Sequence, residues 1–518
     1  MKNYKMKKAF LASTALAITA ISANAETYTW QNTVVTSGTS LKWNDPSNWS
    51  PTPGSSGPGA ADDVIFKDTP SFGTASAMGG LTAVNNMTFE NARIIDEQRI
   101  QFNTQQSANI NGDIFLGNLY TPNSWSIMNF RSFSENSTID IAGSITLAPT
   151  KNDGTTAVDS GLSFGGTQIN QHYTSMNVGE NAGIYSTTGY KTAILLDASK
   201  GNIRFEFCGT SAGDEDWATV HGVIQMNRGS NTYATLYLGR NETPTTTAGA
   251  MRDSHISIGG LSGGGKLITK LSSTADNRCT SYLTFTNAAG VNTQFTGDLA
   301  VETFSGSNNN SFVFIMDGAG SQSMNIGSGG DLLSAIEVKN GTMLVNKANT
   351  SASLTISGGA FGALDPSNGI SLGSAKYSGG EIIIDASAIG GALGQIVLGD
   401  KFVSNAESVL IEFTNFDQYL LDDGNFYDIM TANGGFENPD GSAMDESDFI
   451  AKIDGAYAIF HLEGNTLQAT FSSVPEPAEL AALIGLGALA LAVSRRHKAL
   501  LKKRVLGARK FCFARVFI

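Results

Sequence analysis

The chain has 518 residues, of which 58 are glycine, 15% are charged and 41% are hydrophobic. A disordered polyelectrolyte is excluded, because the charge is too low and the apolar content too high for that class. The glycines follow no strict period of three, which excludes collagen, and the net charge of −13 argues against general binding to nucleic-acid phosphates.

The charge is distributed unevenly along the chain. Residues 1–25 carry four lysines and no acid, whereas residues 474–518 carry nine Lys/Arg and two Glu. Residues 26–473 therefore hold 20 bases and 44 acids, a net charge of −24. The basic residues thus concentrate at the two ends, where targeting signals lie.

Residues 1–25 predict a cleaved secretory signal peptide. Their four lysines precede the apolar run Ala9–Ile21, which is too short to cross a bilayer as a stable helix. Ala23 and Ala25 supply the small residues that signal peptidase requires, so we predict cleavage after Ala25. A buried helix is disfavoured, because no polar face is patterned along this stretch.

Residues 26–80 predict an N-terminal cap that contains three of the five tryptophans. The tryptophans could stack on sugar rings, but we favour packing, because the end of a repetitive β-structure needs large apolar side chains over its exposed strands. The five are Trp30, Trp43, Trp49, Trp125 and Trp217.

Residues 80–400 alternate short apolar runs with Gly, Asn, Ser, Thr and Asp. Segments such as Ser144–Leu147, Ala234–Gly239 and Glu381–Asp385 show the alternation of half-buried strands. The fold class is therefore all-β, either a right-handed parallel β-helix (a solenoid) or a string of sandwiches. Many short strands and Asn/Gly-rich corners favour the solenoid, with turns of about 20–25 residues.

Several short segments resemble autotransporter-like surface proteins built from β-strand repeats. Trp43–Trp49, followed by Pro58–Phe66, is similar to the opening of such proteins, and Gly263–Leu267 and Leu354–Ala360 are similar to their repeat sequences. The resemblance implies an extracellular β-strand-repeat passenger.

Residues 401–473 are richer in aromatic residues and predict a C-terminal β cap. Tyr457–Phe471 predicts a hairpin with Gly464-Asn465 at its turn. A cap is favoured over a separate binding domain, since the open end of a solenoid invites edge-to-edge pairing. Met444–Ile453 is the best helix candidate, because Phe449, Ile450 and Ile453 have helical spacing.

Residues 474–498 resemble the PEP-CTERM sorting signal of Gram-negative surface proteins. Its three parts occur in order: a Pro-Glu-Pro element, the short apolar run Leu480–Val493 and a basic cluster. The residues that carry the resemblance are Val474, Pro475, Glu476, Pro477, Arg495 and Arg496. The resemblance implies a C-terminal membrane helix that holds the exported protein in the inner membrane until an exosortase-type enzyme processes it.

Residues 499–518 form a basic tail that departs from the PEP-CTERM pattern, which usually ends soon after its basic cluster. The tail contains six Lys/Arg. Either it lies against anionic lipid on the cytoplasmic side, or it is an extension without a role.

No catalytic signature is evident in the sequence, which lacks HExxH, GxSxG and P-loop motifs. The histidines of residues 26–473 lack paired metal-ligand spacing, and we expect them at surface or turn positions. They are His172, His221, His255 and His461. No catalytic residue, metal ligand or cofactor is therefore predicted.

Acidic clusters leave Ca²⁺ open as an alternative to solvated loop charge, which we favour because none of the clusters has EF-hand spacing. The clusters are Asp214–Asp216, Asp422-Asp423 and Asp445-Glu446. Cys208 and Cys279 could form a disulfide in an oxidising compartment or remain buried thiols.

These patterns predict an exported, non-enzymatic protein of the cell surface or extracellular matrix, involved in surface structure or adhesion. The expected partners are signal peptidase, an exosortase-type sorting enzyme and, transiently, the inner membrane, and no nucleic acid. The alternative is an extracellular polysaccharide-active enzyme or glycan-binding protein on the same scaffold, whose partner would be extracellular polysaccharide.

Overall fold

A computed structural model describes nineteen stretches of the chain, which together are nearly all β. They are residues 25–31, 41–54, 57–67, 77–90, 92–93, 100–104, 107–117, 119–120, 126–132, 137–149, 160–164, 175–185, 187–208, 216–239, 253–270, 280–302, 310–346, 351–388 and 395–473. Short 3₁₀ helices lie at Pro46–Asn48, Gly330–Leu332, Ala386–Ala388, Gln418–Leu420 and Glu446–Asp448. The all-β prediction is confirmed. The chain divides into two compact units at Thr355/Ile356.

The first unit contains three ladders of parallel strands. Ladder 1 consists of Thr27–Trp30, Asp63–Lys67, Met87–Glu90, Ile114–Leu116, Ile145–Leu147, Thr192–Asp197, Val223–Asn227 and the start of Leu261–Lys270. Ladder 2 consists of Leu41–Lys42, Ala77–Gly79, Ile100–Thr104, Ser126–Ser132, Ser160–Phe164, Ile203–Phe207, Ala234–Leu238, Leu261–Lys270, Asn292–Glu302, Ser321–Ile326 and Thr342–Val345. Ladder 3 consists of Ala83–Val84, Ala108–Ile110, Thr138–Ile141, Ser175–Val178, Ala218–Val220, Ser254–Ile258, Thr280–Phe285, Ser311–Met316 and Leu333–Val338.

Four further short strands lie in the first unit or at its boundary. Trp49–Ser50 pairs antiparallel with Thr27–Trp30, and Ala92–Arg93 pairs parallel with Leu119–Tyr120. Ser353–Ile356 lies at the division between the units.

The chain visits the ladders in a fixed cyclic order from Ala83 to Leu238: ladder 3, then ladder 1, then ladder 2. Partner residues in ladder 3 lie from 21 positions apart, Phe312 and Leu333, to 42 positions apart, Met176 and Ala218. The expected repeat of about 20–25 residues is therefore too short for much of this unit. The connections between its strands vary in length, and many are longer than that repeat allows.

Matching register stacks apolar side chains into buried columns. One column of ladder 1, in which every member is fully buried, consists of Val64, Met87, Ile114, Ile145, Ile194, Ile224 and Leu261. Burying each such side chain contributes about 1.5–3 kcal/mol before conformational entropy is subtracted. Because side chains alternate along a strand, the immediate sequence neighbours of each column member point away from the core.

Close backbone approach explains glycine at the corners between ladder 3 and ladder 1. A Cβ on Gly143 would lie 2.5 Å from the carbonyl oxygen of Gly112 in the preceding turn. The Gly143 amide donates to that same oxygen at 3.0 Å. Asp113 completes this corner, because its carboxylate accepts from the backbone N–H of Ser144 at 2.6 Å.

Ladder 1 and ladder 2 join in one strand, Leu261–Lys270. Its first residues pair with Val223–Asn227 and its later ones with Ala234–Leu238. Gly263 has φ +88°, and a Cβ there would lie 2.0 Å from the carbonyl oxygen of Met226. The glycine run therefore lets the strand continue past the corner without a steric clash.

The second unit repeats the three-ladder arrangement with shorter strands. Ladder 4 consists of Ala360–Ala363, Glu381–Asp385, Val409–Thr414 and Phe449–Lys452. Ladder 5 consists of Ile370–Leu372, Ile396–Leu398 and Tyr427–Ala432, and ladder 6 of Ser374–Tyr377, Phe402–Ser404 and Phe436–Glu437. The chain again visits them in cyclic order.

The predicted hairpin ends the described part of the second unit and is confirmed. Ala456–Glu463 pairs antiparallel with Thr466–Ser473 across Gly464-Asn465, and Thr466–Ser473 also pairs antiparallel with Tyr427–Ala432. Phe413 contacts Phe460 and Phe471 of the hairpin, with ring centroids 6.3 and 5.0 Å away.

The helix predicted over Met444–Ile453 is wrong. The segment forms one 3₁₀ turn, Glu446–Asp448, and then the strand Phe449–Lys452. Phe449 is buried between Phe436 and Phe460, while Ile450 is half exposed. Ladder pairing and this burial outweigh the weak helical spacing of three apolar residues.

No helix in the described ranges is both long enough and apolar enough to span a membrane. The predicted membrane segment Leu480–Val493 lies outside those ranges.

Candidate functional site

A buried group of ionisable side chains lies on the outer side of ladder 2. In the strand Ile203–Phe207 the three apolar side chains point inward and are fully buried, so Arg204 and Glu206 point outward. Glu206 is nevertheless fully buried. Register places Tyr237 next to Glu206 on the following strand.

Two carboxylates share the guanidinium of Arg204. Its Nε pairs with Glu206 Oε1, and its Nη2 lies 3.8 Å from Glu302 Oε2. The guanidinium carbon also lies 3.8 Å from the centre of the Tyr237 ring, within the range of a cation–π contact. We call these four residues the Arg204 cluster: Arg204, Glu206, Tyr237 and Glu302.

The cluster fixes the protonation of its arginine and its tyrosine. Burial opposes the charged form of Arg204, but the neighbouring carboxylates, Glu206 foremost, raise its pKa above the ordinary value. Burial also raises the pKa of Tyr237 well above 10, although the guanidinium works in the opposite direction. Arg204 therefore stays charged and the phenol of Tyr237 stays neutral at physiological pH.

Cys208 extends the polar contacts of the cluster. Its Sγ donates to Glu206 Oε2 at 3.3 Å and lies 3.4 Å from the hydroxyl of Ser163. Cys208 is buried and directly follows the strand Ile203–Phe207. Ser163 is the register partner of Glu206 on the preceding strand of ladder 2. Cys279, the partner considered from the sequence, lies outside the described ranges.

The Arg204 cluster can act as an electrostatic cross-link. It ties Ile203–Phe207 to Asn292–Glu302, three strands further along ladder 2. A glycosidase needs two carboxyl groups that both face the sugar. Here the guanidinium lies between the carboxylates and Glu206 has almost no accessible surface, which suits a structural role.

The predicted targeting residues are mostly outside the described ranges. Ala25 is described and exposed, whereas Ala23 is not described. The sorting motif also lies outside those ranges. It consists of Val474, Pro475, Glu476, Pro477, Arg495 and Arg496.

The tryptophans that the structure describes pack inside the fold. Trp30, Trp43 and Trp49 are buried, and Trp49 makes edge contacts with the other two at 5.0 and 4.9 Å. Trp217 is also buried and donates to Ser254 Oγ at 3.2 Å. The preference for packing over sugar stacking is confirmed for the three tryptophans of residues 26–80. Trp217 is buried away from that end, and Trp125 is not described.

The surface prediction is wrong for one histidine. His255 is buried in ladder 3 and stacks on Tyr282, with ring centroids 4.1 Å apart. His221 and His461 are exposed as expected, and His172 lies outside the described ranges. The period-two pattern of the strand Ser254–Ile258 predicts an outward histidine, but it cannot show that the outer face is covered.

The acidic side chains that the structure describes accept hydrogen bonds from nearby residues and do not gather at one site. Asp445 caps the 3₁₀ helix Glu446–Asp448, and Asp423 accepts from the side chain of Tyr427. Within the described ranges, no three His, Cys, Asp or Glu side chains gather closely enough to hold a metal. Asp214 and Glu215 are not described.

Sequence reasoning missed the Arg204 cluster. A local signal exists: Arg204 and Glu206 are two positions apart, and apolar neighbours flank them, so a strand places the opposite charges on one face. Tyr237 and Glu302 become neighbours only through strand register, which the sequence does not state.

No protein-family model matches the chain, and neither a curated protein nor a solved structure shows significant similarity to it. The functional proposal therefore rests on the sequence patterns and on the geometry described above.

Proposed function

We propose that the chain is an exported, non-enzymatic protein of the cell surface or extracellular matrix, with a role in surface structure or adhesion. The observation that carries the proposal is the cyclic order in which residues 83–238 of the first unit, and again the second unit, visit three parallel ladders. Such an arrangement winds around a shared apolar interior and repeats its outer faces at every turn. Repeated outer faces suit adhesion and surface assembly.

The finer fold that we propose for each unit is a right-handed parallel β-helix. The stacked columns support it, because each turn buries its inward side chains against the next. Right-handed winding follows the general preference of connections between parallel strands. The hairpin Ala456–Ser473 then acts as the β cap of the second unit.

The route to the surface rests on the two ends of the sequence. Residues 1–25 have the three-part pattern of a signal peptide, and residues 474–498 resemble a PEP-CTERM signal. We propose that signal peptidase removes the first and that an exosortase-type enzyme acts on the second.

Replacing Pro475, Glu476 and Pro477 with alanine tests this route. We expect the variant to accumulate in the inner membrane, because the hydrophobic segment is kept while the sorting element is lost. The measurement is membrane fractionation with protease accessibility on intact cells, and Lys376→Ala, an exposed change outside the signal, serves as the control. Normal surface delivery of the triple variant would refute the sorting assignment.

A screen for polysaccharide degradation tests the non-enzymatic part of the proposal. The full chain is expected to leave neutral and acidic polysaccharides intact. Turnover that is lost in Glu302→Gln, whose carboxylate is partly exposed beside Arg204, would establish the enzymatic alternative instead.

A further inference from the structure

Two cationic side chains flank one tyrosine at the corner between ladder 1 and ladder 2. Arg228 follows the strand Val223–Asn227, and Tyr233 precedes the strand Ala234–Leu238. Lys266 comes from the next strand of ladder 2, where it pairs with Thr235. The Arg228 guanidinium carbon and the Lys266 Nζ lie 4.6 and 4.5 Å from the Tyr233 ring centre.

These cations differ from four surface lysines of the described ranges. Lys67, Lys339, Lys401 and Lys452 each pair with a glutamate. Within the described ranges, Arg228 and Lys266 have no ion pair with a carboxylate.

Asp298, in register with Lys266, forms no ion pair with either cation within the described ranges. Its carboxylate accepts from the hydroxyl of Ser328 at 2.8 Å. Two like charges thus lie beside one ring, in residues 26–473, whose net charge is −24.

The two cations lie close together beside the ring. The distances to the shared ring centre place the Arg228 guanidinium carbon and the Lys266 Nζ no more than 9.1 Å apart. A carboxylate or sulfate accepts charge-assisted hydrogen bonds from cationic nitrogens at about 2.7–2.9 Å. Arg228 Nη2 also lies 3.4 Å from the Tyr233 hydroxyl, so that hydroxyl is close enough to join the donor set.

The ring is held in place by the backbone beside it. The Tyr233 N–H donates to Asn202 Oδ1 at 2.9 Å, and its carbonyl accepts from the N–H of Ile203 at 3.0 Å. Arg228 is exposed and Lys266 half-buried, so a polymer can reach both from solvent.

We propose that Arg228, Tyr233 and Lys266 bind the anionic groups of an acidic polysaccharide. The inference rests on the proposed extracellular location, and it goes beyond the proposed function by assigning residues and a ligand class. The cations supply the attraction, and the tyrosine sets their spacing. A net-negative protein repels polyanions elsewhere on its surface, so binding depends on this corner.

The test is affinity electrophoresis of the full chain, purified in mild detergent, through gels that contain polygalacturonate, dextran sulfate or neutral dextran. The wild type should be retarded by at least one of the two acidic polymers and not by neutral dextran, with retardation that weakens as salt rises. Arg228→Gln/Lys266→Gln should lose at least about tenfold in affinity, because two charge-assisted contacts are removed. Retardation by polygalacturonate alone would identify carboxylate, and by dextran sulfate alone sulfate, as the preferred group.

Lys42→Gln/Lys376→Gln is the matched control, because it removes the same charge at two exposed positions. It should bind like the wild type, and Arg228→Gln alone, at an exposed side chain, should weaken binding without affecting folding. The proposal is overturned if the wild type binds neither acidic polymer, if Arg228→Gln leaves binding unchanged, or if the control loses as much affinity as the test variant. None of these results bears on export, which fractionation measures separately.

Discussion

Glu206 shows how a fully buried carboxylate can be tolerated in this fold. A charge without solvent is costly unless it is paired and hydrogen-bonded. Glu206 meets both conditions, because one oxygen pairs with Arg204 and the other accepts from Cys208. The strand supplies these partners by placing every second side chain on the same face.

Glu206→Ala is expected to lower the free energy of unfolding by about 3–5 kcal/mol, because it leaves the Arg204 guanidinium largely buried without its nearest partner. Chemical denaturation of the full chain measures the change. Glu337→Ala is the control, since its partner Lys339 is well exposed, and it should cost less than about 1 kcal/mol. Equal effects of the two substitutions would show that burial of the cluster is unimportant.

Hydrogen-bonded carboxylates in turns of the second unit should make its stability sensitive to acid. Hydrogen bonds from the side chain and then the backbone of Ser447 lower the pKa of Asp445, and Ser442 lowers that of Asp440 in the same way. A lowered folded-state pKa adds stability that is present above the ordinary value of 3.8 and lost as pH falls through the folded-state pKa.

The melting temperature of the wild type should therefore fall more steeply below pH 4 than that of Asp440→Asn/Asp445→Asn. Asparagine keeps an acceptor for each turn but does not titrate. Thermal melts between about pH 6 and pH 3 measure this difference. Identical pH profiles for the two proteins would contradict the assignment.

At the scale of elements, a side chain ends ladder 1. Leu261 belongs to the last strand of that ladder, and the amide of Gln322 takes the place of a further strand. Gln322 Oε1 accepts from the Leu261 N–H, and its Nε2 donates to the Leu261 carbonyl, both at 2.9 Å. Thr293 supports the amide by donating to Oε1 at 2.7 Å.

Gln322→Leu is expected to lower the free energy of unfolding by at least about 2 kcal/mol. The substitution leaves the buried N–H and carbonyl of Leu261 without their partners. Gln294→Leu, on an exposed side chain of the neighbouring strand, is the matched control. Denaturant midpoints compare the two variants. A loss for Gln322→Leu no larger than that of the control would show that ladder 1 ends without help from this amide.

Elements with a strong local signal are predictable from the sequence, and others are not. The hairpin Ala456–Ser473 combines two alternating strands with a Gly-Asn turn, so local sequence specifies it. Phe449–Lys452 has no such signal, and its strand form depends on pairing with Val409–Thr414. Short segments of this kind follow their tertiary neighbours.

At the scale of the whole molecule, composition predicts the all-β class but not the register. Alternating apolar residues and glycine-rich corners indicate strands, and the buried column that begins at Val64 follows from them once register is known. The Arg204 cluster and the Arg228–Lys266 pair both join residues from separate strands. Their partners depend on connections of variable length, which local patterns do not determine.

Mass spectrometry of the native protein's two ends shows whether the chain leaves the cell through its two terminal signals. Protein released from the cell surface is predicted to begin at Glu26 and to lack the hydrophobic segment Leu480–Val493. Recovery of the chain only inside the cell, extending intact from Met1 to Ile518, would refute export through these signals.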